Sequence, residues 1–140
     1  MKLSSLNPQF YRYDRRMTDV ELCVGDQATW RERGCPTEKK KELRDYRIPV
    51  NNIEEAQCVW FQCPKCVREK GTVVGCHFVE VTFADRGVLP GQGIKNKSGE
   101  DIRWNISGTN YNDLTVTPSV LIQGGCGWHG FITAGEVSII

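Results

Sequence analysis

Apolar and polar positions along this chain alternate in short stretches, and few windows show the three-to-four-residue recurrence of an amphipathic helix. Cys58-Val59-Trp60-Phe61-Gln62 is a compact apolar run of strand type. Between His77 and Phe83 the alternation puts Phe78, Glu80 and Thr82 on one face, and His77, Val79, Val81 and Phe83 on the other. Residues 102–106, 114–117 and 119–122 read as further strands, with Pro118 marking an edge or a bend. Residues 131–133 and 136–139 flank an Ala134-Gly135 turn and predict a terminal hairpin. Shorter strands are expected at 20–24, which ends on Gly25-Asp26, and at 71–74. The charged run 37–43 reads either as a short helix capped by Thr37 or as a loop. Residues 86–101 hold four glycines and Pro90 and predict a loop long enough to be functional or mobile. The sum is a mainly β protein with little helix, divided into an N-terminal arm at 1–52 packing on a core at 53–140.

Composition alters this picture little. Lys and Arg number 18 against 17 Asp and Glu, so the net charge of +1 carries no global nucleic-acid footprint. No run of apolar residues is long enough to span a membrane, and the first residues have no secretory apolar stretch. A cytoplasmic location is expected. Seven cysteines in a reducing compartment point to metal ligands and buried thiols before disulfides.

Their spacing supplies the chemistry. Cys63-Pro-Lys-Cys66 and Cys126-Gly-Trp-His129 each offer two donors across two intervening residues. Zinc takes four such sulfur and nitrogen ligands at tetrahedral corners, and two tight turns supply them well. The sequence therefore predicts a zinc site at Cys63, Cys66, Cys126 and His129, in a zinc-ribbon-like domain with a long inserted segment. About sixty residues separate the two pairs, against roughly fifteen to twenty in a compact ribbon, so several strands must lie between them. Four protein ligands leave no open position, which favours a structural ion.

Other residues stand further back. His77, next to Cys76, is a weak catalytic candidate, and a hydrogen-bonded structural role is the plainer expectation. Cys58 reads as a buried thiol, and Cys23 and Cys35 as free thiols by default with pairing as the alternative. Thr115, Thr117 and Ser119 form either an exposed strand face or a partner groove. No Ser-His-Asp spacing or phosphate loop is visible.

The set formed by residues 59–66, 104–109, 113–120 and 125–137 resembles the domain-of-unknown-function family 6527, whose phage members often carry the label "ammonia monooxygenase". The resemblance implies metal binding by Cys63, Cys66, Cys126 and His129, and a histidine of interest at His77. The monooxygenase label has no support in a chain with two histidines and no membrane span. The leading expectation is thus a small phage-type zinc protein acting as an adaptor for a host or defence protein, with nucleic acid disfavoured. The alternative is a metal-assisted hydrolase-like enzyme using His77 with Asp113 or Glu80.

Overall fold

The computed structural model describes residues 1–122 and 125–140. Gly124 of the expected knuckle lies outside them. The fold is mainly β, with two antiparallel four-stranded sheets. A 3-10 turn at Leu3–Leu6 precedes β1 (Gln9–Cys23), helix α1 (Gln27–Arg33) and β2 (Thr37–Val50). Then come β3 (Cys58–Gln62), helix α2 (Pro64–Lys70), β4 (Phe78–Thr82), β5 (Asn105–Ser107), β6 (Thr115–Leu121), β7 (His129–Thr133) and β8 (Glu136–Val137). The first sheet has the order β2-β1-β3-β4 and the second β5-β6-β7-β8.

The chain divides into two compact units, and the division falls inside β1 and β2 rather than at residue 52. One unit comprises Met1–Tyr13 with Arg47–Ile140. Within it Leu3, Leu6, Phe10, Val59, Phe61, Val81, Phe83, Leu114, Val116, Trp128 and Ile132 are almost wholly buried. They come from strands of both sheets, from the 3-10 turn and from the residues flanking β4, β6 and β7, and Phe61 meets Trp128 edge-on with ring centroids 5.8 Å apart. The expected alternation of 77–83 is present: Val79, Val81 and Phe83 are buried while Phe78 is exposed. Thr82 departs from it. It is buried because its Oγ1 lies 3.0 Å from the Tyr13 hydroxyl and accepts the Ile94 amide.

The other unit, Asp14–Tyr46, is a long hairpin closed by α1. Here the sequence expectations fail in two places. Residues 37–43 are strand, not helix or loop, because pairing with β1 along an exposed ribbon sets their backbone. Cys23 and Cys35 form a disulfide, their Cα atoms 5.5 Å apart across the end of the hairpin. Residues 71–74 form turns rather than a strand, since Gly71 closes α2 in the left-handed region at φ 70°. The ribbon layout is also absent at the first cysteine pair, which opens a helix instead of a β-knuckle. No helix among the described residues is long and apolar enough to cross a membrane.

Candidate functional site

Two constellations lie side by side on the chain. The first gathers one donor atom each from Cys63, Cys66, His77 and Cys126, all within 4.8 Å of one another. Cys63 follows β3 and N-caps α2, its carbonyl accepting the Val67 amide at 3.0 Å. Pro64 suits the first helical position, where no N–H is needed. Cys66 stands three residues on, which on a helix is the same face. The Cys63 amide donates to the His77 carbonyl at 2.9 Å, fixing the start of β4 beside the start of α2. Cys126 sits between Gly125 (φ 56°) and Gly127 (φ 66°), a reversal that residues with a Cβ rarely adopt. Lys65 Nζ donates to the Cys126 carbonyl at 2.9 Å and ties the two segments together.

Within this cluster the Cys126 sulfur lies 3.1 Å from Cys63 Sγ and 3.2 Å from His77 Nε2. Around zinc, ligand bonds of 2.0–2.3 Å place donors about 3.3–3.8 Å apart, so the four side chains have the right number, type and approximate spacing for an ion. Burial pushes the Cys63 thiol up to about 12 and raises Cys66 as well. Burial pushes Cys126 the same way, but hydrogen bonds from Cys63, His77, the Trp128 amide and Cys66 outweigh it and bring that thiol down to about 7. Cys126 is thus the sulfur best prepared to bind as thiolate.

His129 is not in the cluster; His77 stands where the sequence reading had placed it. The adjacency of Cys76 and His77 hid this. The two side chains do diverge, Cys76 bonding the Thr72 carbonyl at 3.3 Å, and His77 alone turns to the sulfurs.

His129 belongs to the second constellation. Its Nε2 lies 3.0 Å from Ser119 Oγ, within hydrogen-bond distance. The hairpin of β6 and β7 makes this pair. Leu121 stands opposite His129, and Ser119, two residues back along β6, shares that face. The β6–β7 register shifts between Val116 and Val120, and Ser119 lies within the irregularity. Bulges of this kind bend a strand and re-aim its side chains. The Trp104 indole N–H donates to the Ser119 carbonyl at 3.2 Å and pins the main chain there. On the other strand, Trp128 is fully buried and donates to the Ser138 carbonyl at 3.3 Å. The His129 carbonyl accepts the Ile140 amide at 2.8 Å. A Cβ on Gly130 would collide with the Ser138 carbonyl, so only glycine lets β7 approach the last residues this closely.

The other candidate acids are engaged elsewhere. Asp113 closes its own turn, accepting the amides of Thr109 and Asn110 at 2.8 Å each and the Thr109 hydroxyl at 2.8 Å. Those hydrogen bonds hold its carboxyl below the usual range. Glu80 is bound by the Arg47 guanidinium and the Trp60 indole N–H. His77 therefore has no carboxylate partner among the described residues, and the expected pairing with Asp113 or Glu80 is not formed. Cys58 is a buried thiol, pushed up to about 12 chiefly by burial. Sequence spacing missed Ser119 because ten residues separate it from His129 across a hairpin. The available signal was that, of two histidines, only one was needed by the metal.

Residues 89–140 match the family model described as "Bacterial ubiquitination-like system serine protease (BubE)". The matched segment is less than half of the chain and contains Ser119, Cys126 and His129, but not Cys63, Cys66 or His77. No curated protein and no solved structure matches the chain. The family match overturns the resemblance to family 6527 and its monooxygenase label, since most of the residues that carried it fall in the segment now matched to BubE. It likewise overturns the reading of the chain as a phage adaptor, because the matching family is bacterial and described as a protease.

Proposed function

We propose that this chain is a serine protease-type hydrolase working in a bacterial ubiquitination-like system, with Ser119 as nucleophile and His129 as its base. The observation that carries the reading is the 3.0 Å contact between Ser119 Oγ and His129 Nε2, inside the segment that matches a serine protease family. The chemistry follows from the pair. Ser119 Oγ attacks the peptide carbonyl as its proton passes to Nε2, giving a tetrahedral intermediate. The imidazolium returns that proton to the leaving amine, and the C–N bond breaks to leave an acyl-serine. Water, deprotonated by His129, then attacks the ester and releases the acid and Ser119. Among the described residues no carboxylate holds the other His129 nitrogen. The ring is oriented instead by its place on β7, between the buried Trp128 and the close-packed Gly130. The partner in this reading is a protein substrate.

The second part of the proposal is a zinc ion at Cys63, Cys66, His77 and Cys126. The donor set of three sulfurs and one imidazole nitrogen is typical of structural zinc, and the four donor atoms lie close enough together to share one ion. Zinc bound there supplies cross-linking, joining β3 and β4 to the turn that leads into His129. Binding of this kind contributes directly to folding.

Hydrolysis of a panel of fluorogenic peptides by the wild-type chain and by Ser119→Ala, at equal zinc content, tests the reading. Loss of roughly a thousandfold or more in kcat/KM with an unchanged circular dichroism spectrum is expected. Activity in the folded Ser119→Ala variant within tenfold of wild type would remove Ser119 from the mechanism.

A further inference from the structure

Next to Ser119 the second sheet has an edge that no strand among the described residues pairs with. Strand β5 pairs with β6 only as far as Asn105 opposite Thr117. Before that point its chain leaves β6 for the first sheet: Phe83 and Trp104 form a parallel bridge, and the Trp104 amide donates to the Thr82 carbonyl at 2.9 Å. Among the described residues, 119–121 of β6 therefore have β7 on one side and no paired strand on the other. The hydrogen-bond alternation fixes which groups face that edge. Ile122 donates to the Trp128 carbonyl at 2.9 Å, so Ile122 and Val120 bond towards β7, and Leu121 turns its N–H and C=O away from it. The Ser119 carbonyl points the same way and is already taken by Trp104.

A cleft of about 200 Å³ runs along this edge, walled by Phe78, Ile94, Ile102, Trp104 and Leu121, with Lys95 at its margin. Whole small-molecule ligands occupy pockets of roughly 300–1,000 Å³, so this one suits a single side chain. Phe78 is 49% exposed and Leu121 51%, which leaves the cleft open to an incoming chain. Glu80 also lines it, but its charge is balanced by Arg47. Lys95 makes no ion pair among the described residues, so the net field of the cleft favours an anionic group.

We infer that the open edge of β6 receives its substrate by β-augmentation: an extended peptide segment lies beside residues 119–121, exchanging hydrogen bonds with Leu121. One apolar side chain enters the cleft, with an acidic residue next to it facing Lys95. The inference rests on the protease reading and gives it a substrate class. An added strand has a fixed phase. If one of its residues bonds Leu121, the chain two positions along reaches the neighbourhood of Ser119, whose main-chain carbonyl Trp104 already holds. The substrate must then be unfolded over several residues, as in a chain terminus or a linker, and not a folded loop or an isolated amide.

The test uses the full chain carrying Ser119→Ala, loaded with zinc, so that binding is read without cleavage. The probe is a decapeptide of glycine and serine with a central glutamate–leucine pair, prepared unmodified, with alanine for leucine, and N-methylated at one backbone nitrogen at a time. The unmodified peptide is expected to bind and to slow exchange of the Leu121 amide at least tenfold. Methylation is expected to weaken binding tenfold or more at alternate nitrogens only, and alanine for leucine to weaken it similarly. Binding that ignores methylation, loss that shows no alternation, or a Kd weaker than about 1 mM for the unmodified peptide would each overturn the inference. The outcomes separate from the parent reading. A folded Ser119→Ala protein that still hydrolyses the peptide removes the nucleophile but leaves the docking edge. An inactive variant without alternation removes the edge alone.

Discussion

Trp128 is the residue through which core packing reaches the Ser119–His129 pair, and its replacement gives the sharpest stability prediction. The side chain is fully buried, meets Phe61 edge-on and donates to the Ser138 carbonyl. Trp128→Ala removes the ring, and cavity-forming losses of this kind cost about 3–5 kcal/mol. The lost hydrogen bond adds about 1 kcal/mol. Trp128→Phe keeps an aromatic edge for Phe61 and loses the hydrogen bond and roughly 40 Å² of apolar contact, about 1 kcal/mol more. The expected totals are about 4–6 kcal/mol for alanine and about 2 kcal/mol for phenylalanine. Against a total stability of about 5–15 kcal/mol, the alanine protein is marginal and the phenylalanine protein is folded. The assay is urea unfolding at saturating zinc, where a slope near 2 kcal/mol per molar turns the Trp128→Phe loss into a midpoint shift of about 1 M. A cycle with Phe61→Leu and Trp128→Leu should give about 0.5–1.5 kcal/mol of coupling from the aromatic pair. A Trp128→Phe midpoint within about 0.2 M of wild type, together with additive single losses, would refute the packing of the two sheets through this contact.

Four further outcomes are expected. His129→Ala, folded and zinc-loaded, should lose roughly a thousandfold or more in kcat/KM, measured against the same peptide panel. Cys63→Ser should bind less than one zinc per chain by atomic absorption, and chelation of the wild type should lower Tm by the linkage lost, about 4 kcal/mol where free zinc had stood a thousandfold above its Kd. Gly130→Ala forces a Cβ against the Ser138 carbonyl. It should cost about 1–3 kcal/mol in urea unfolding and slow any reaction that needs His129 in place. The Asp113 carboxyl is held low by its turn, so its contribution is present above the unfolded value near 3.9 and is lost as pH falls through the lower folded value. Asp113→Asn should therefore destabilise at neutral pH, and the difference from wild type should vanish in acid titrations followed by Tm.

Much of the fold was legible because strand alternation is a local signal. Cys58–Gln62 is a strand to the residue, and the alternation of 77–83 buries Val79, Val81 and Phe83 as read. Residues 37–43 were not legible, since a run of lysines and glutamates carries no apolar phase and its strand state comes from pairing within the hairpin. The cysteine motif Cys63-Pro-Lys-Cys66 announced, through spacing alone, a donor cluster able to hold a metal ion. Its fourth member was not decidable that way. Cys126-Gly-Trp-His129 has the same spacing as Cys63-Pro-Lys-Cys66, but His129 lies in β7, where its strand phase sends the ring to Ser119. His77 reaches the sulfurs from just before β4, a proximity created by the pairing of Gln62 with Phe78. The Ser119–His129 contact was hidden for the same reason. Ser119 looks like one of three polar residues on a strand face until the β6–β7 hairpin, which pairs His129 with Leu121, brings the imidazole within reach of it.

The account turns on Ser119 being a nucleophile activated by His129. The most direct measurement is labelling of the zinc-loaded wild-type chain with a fluorophosphonate probe, mapped by peptide mass spectrometry. A single adduct on Ser119, lost in Ser119→Ala and slowed at least a hundredfold in folded His129→Ala, is the predicted result. An unlabelled Ser119 in the folded protein, or labelling at the same rate without His129, would contradict it.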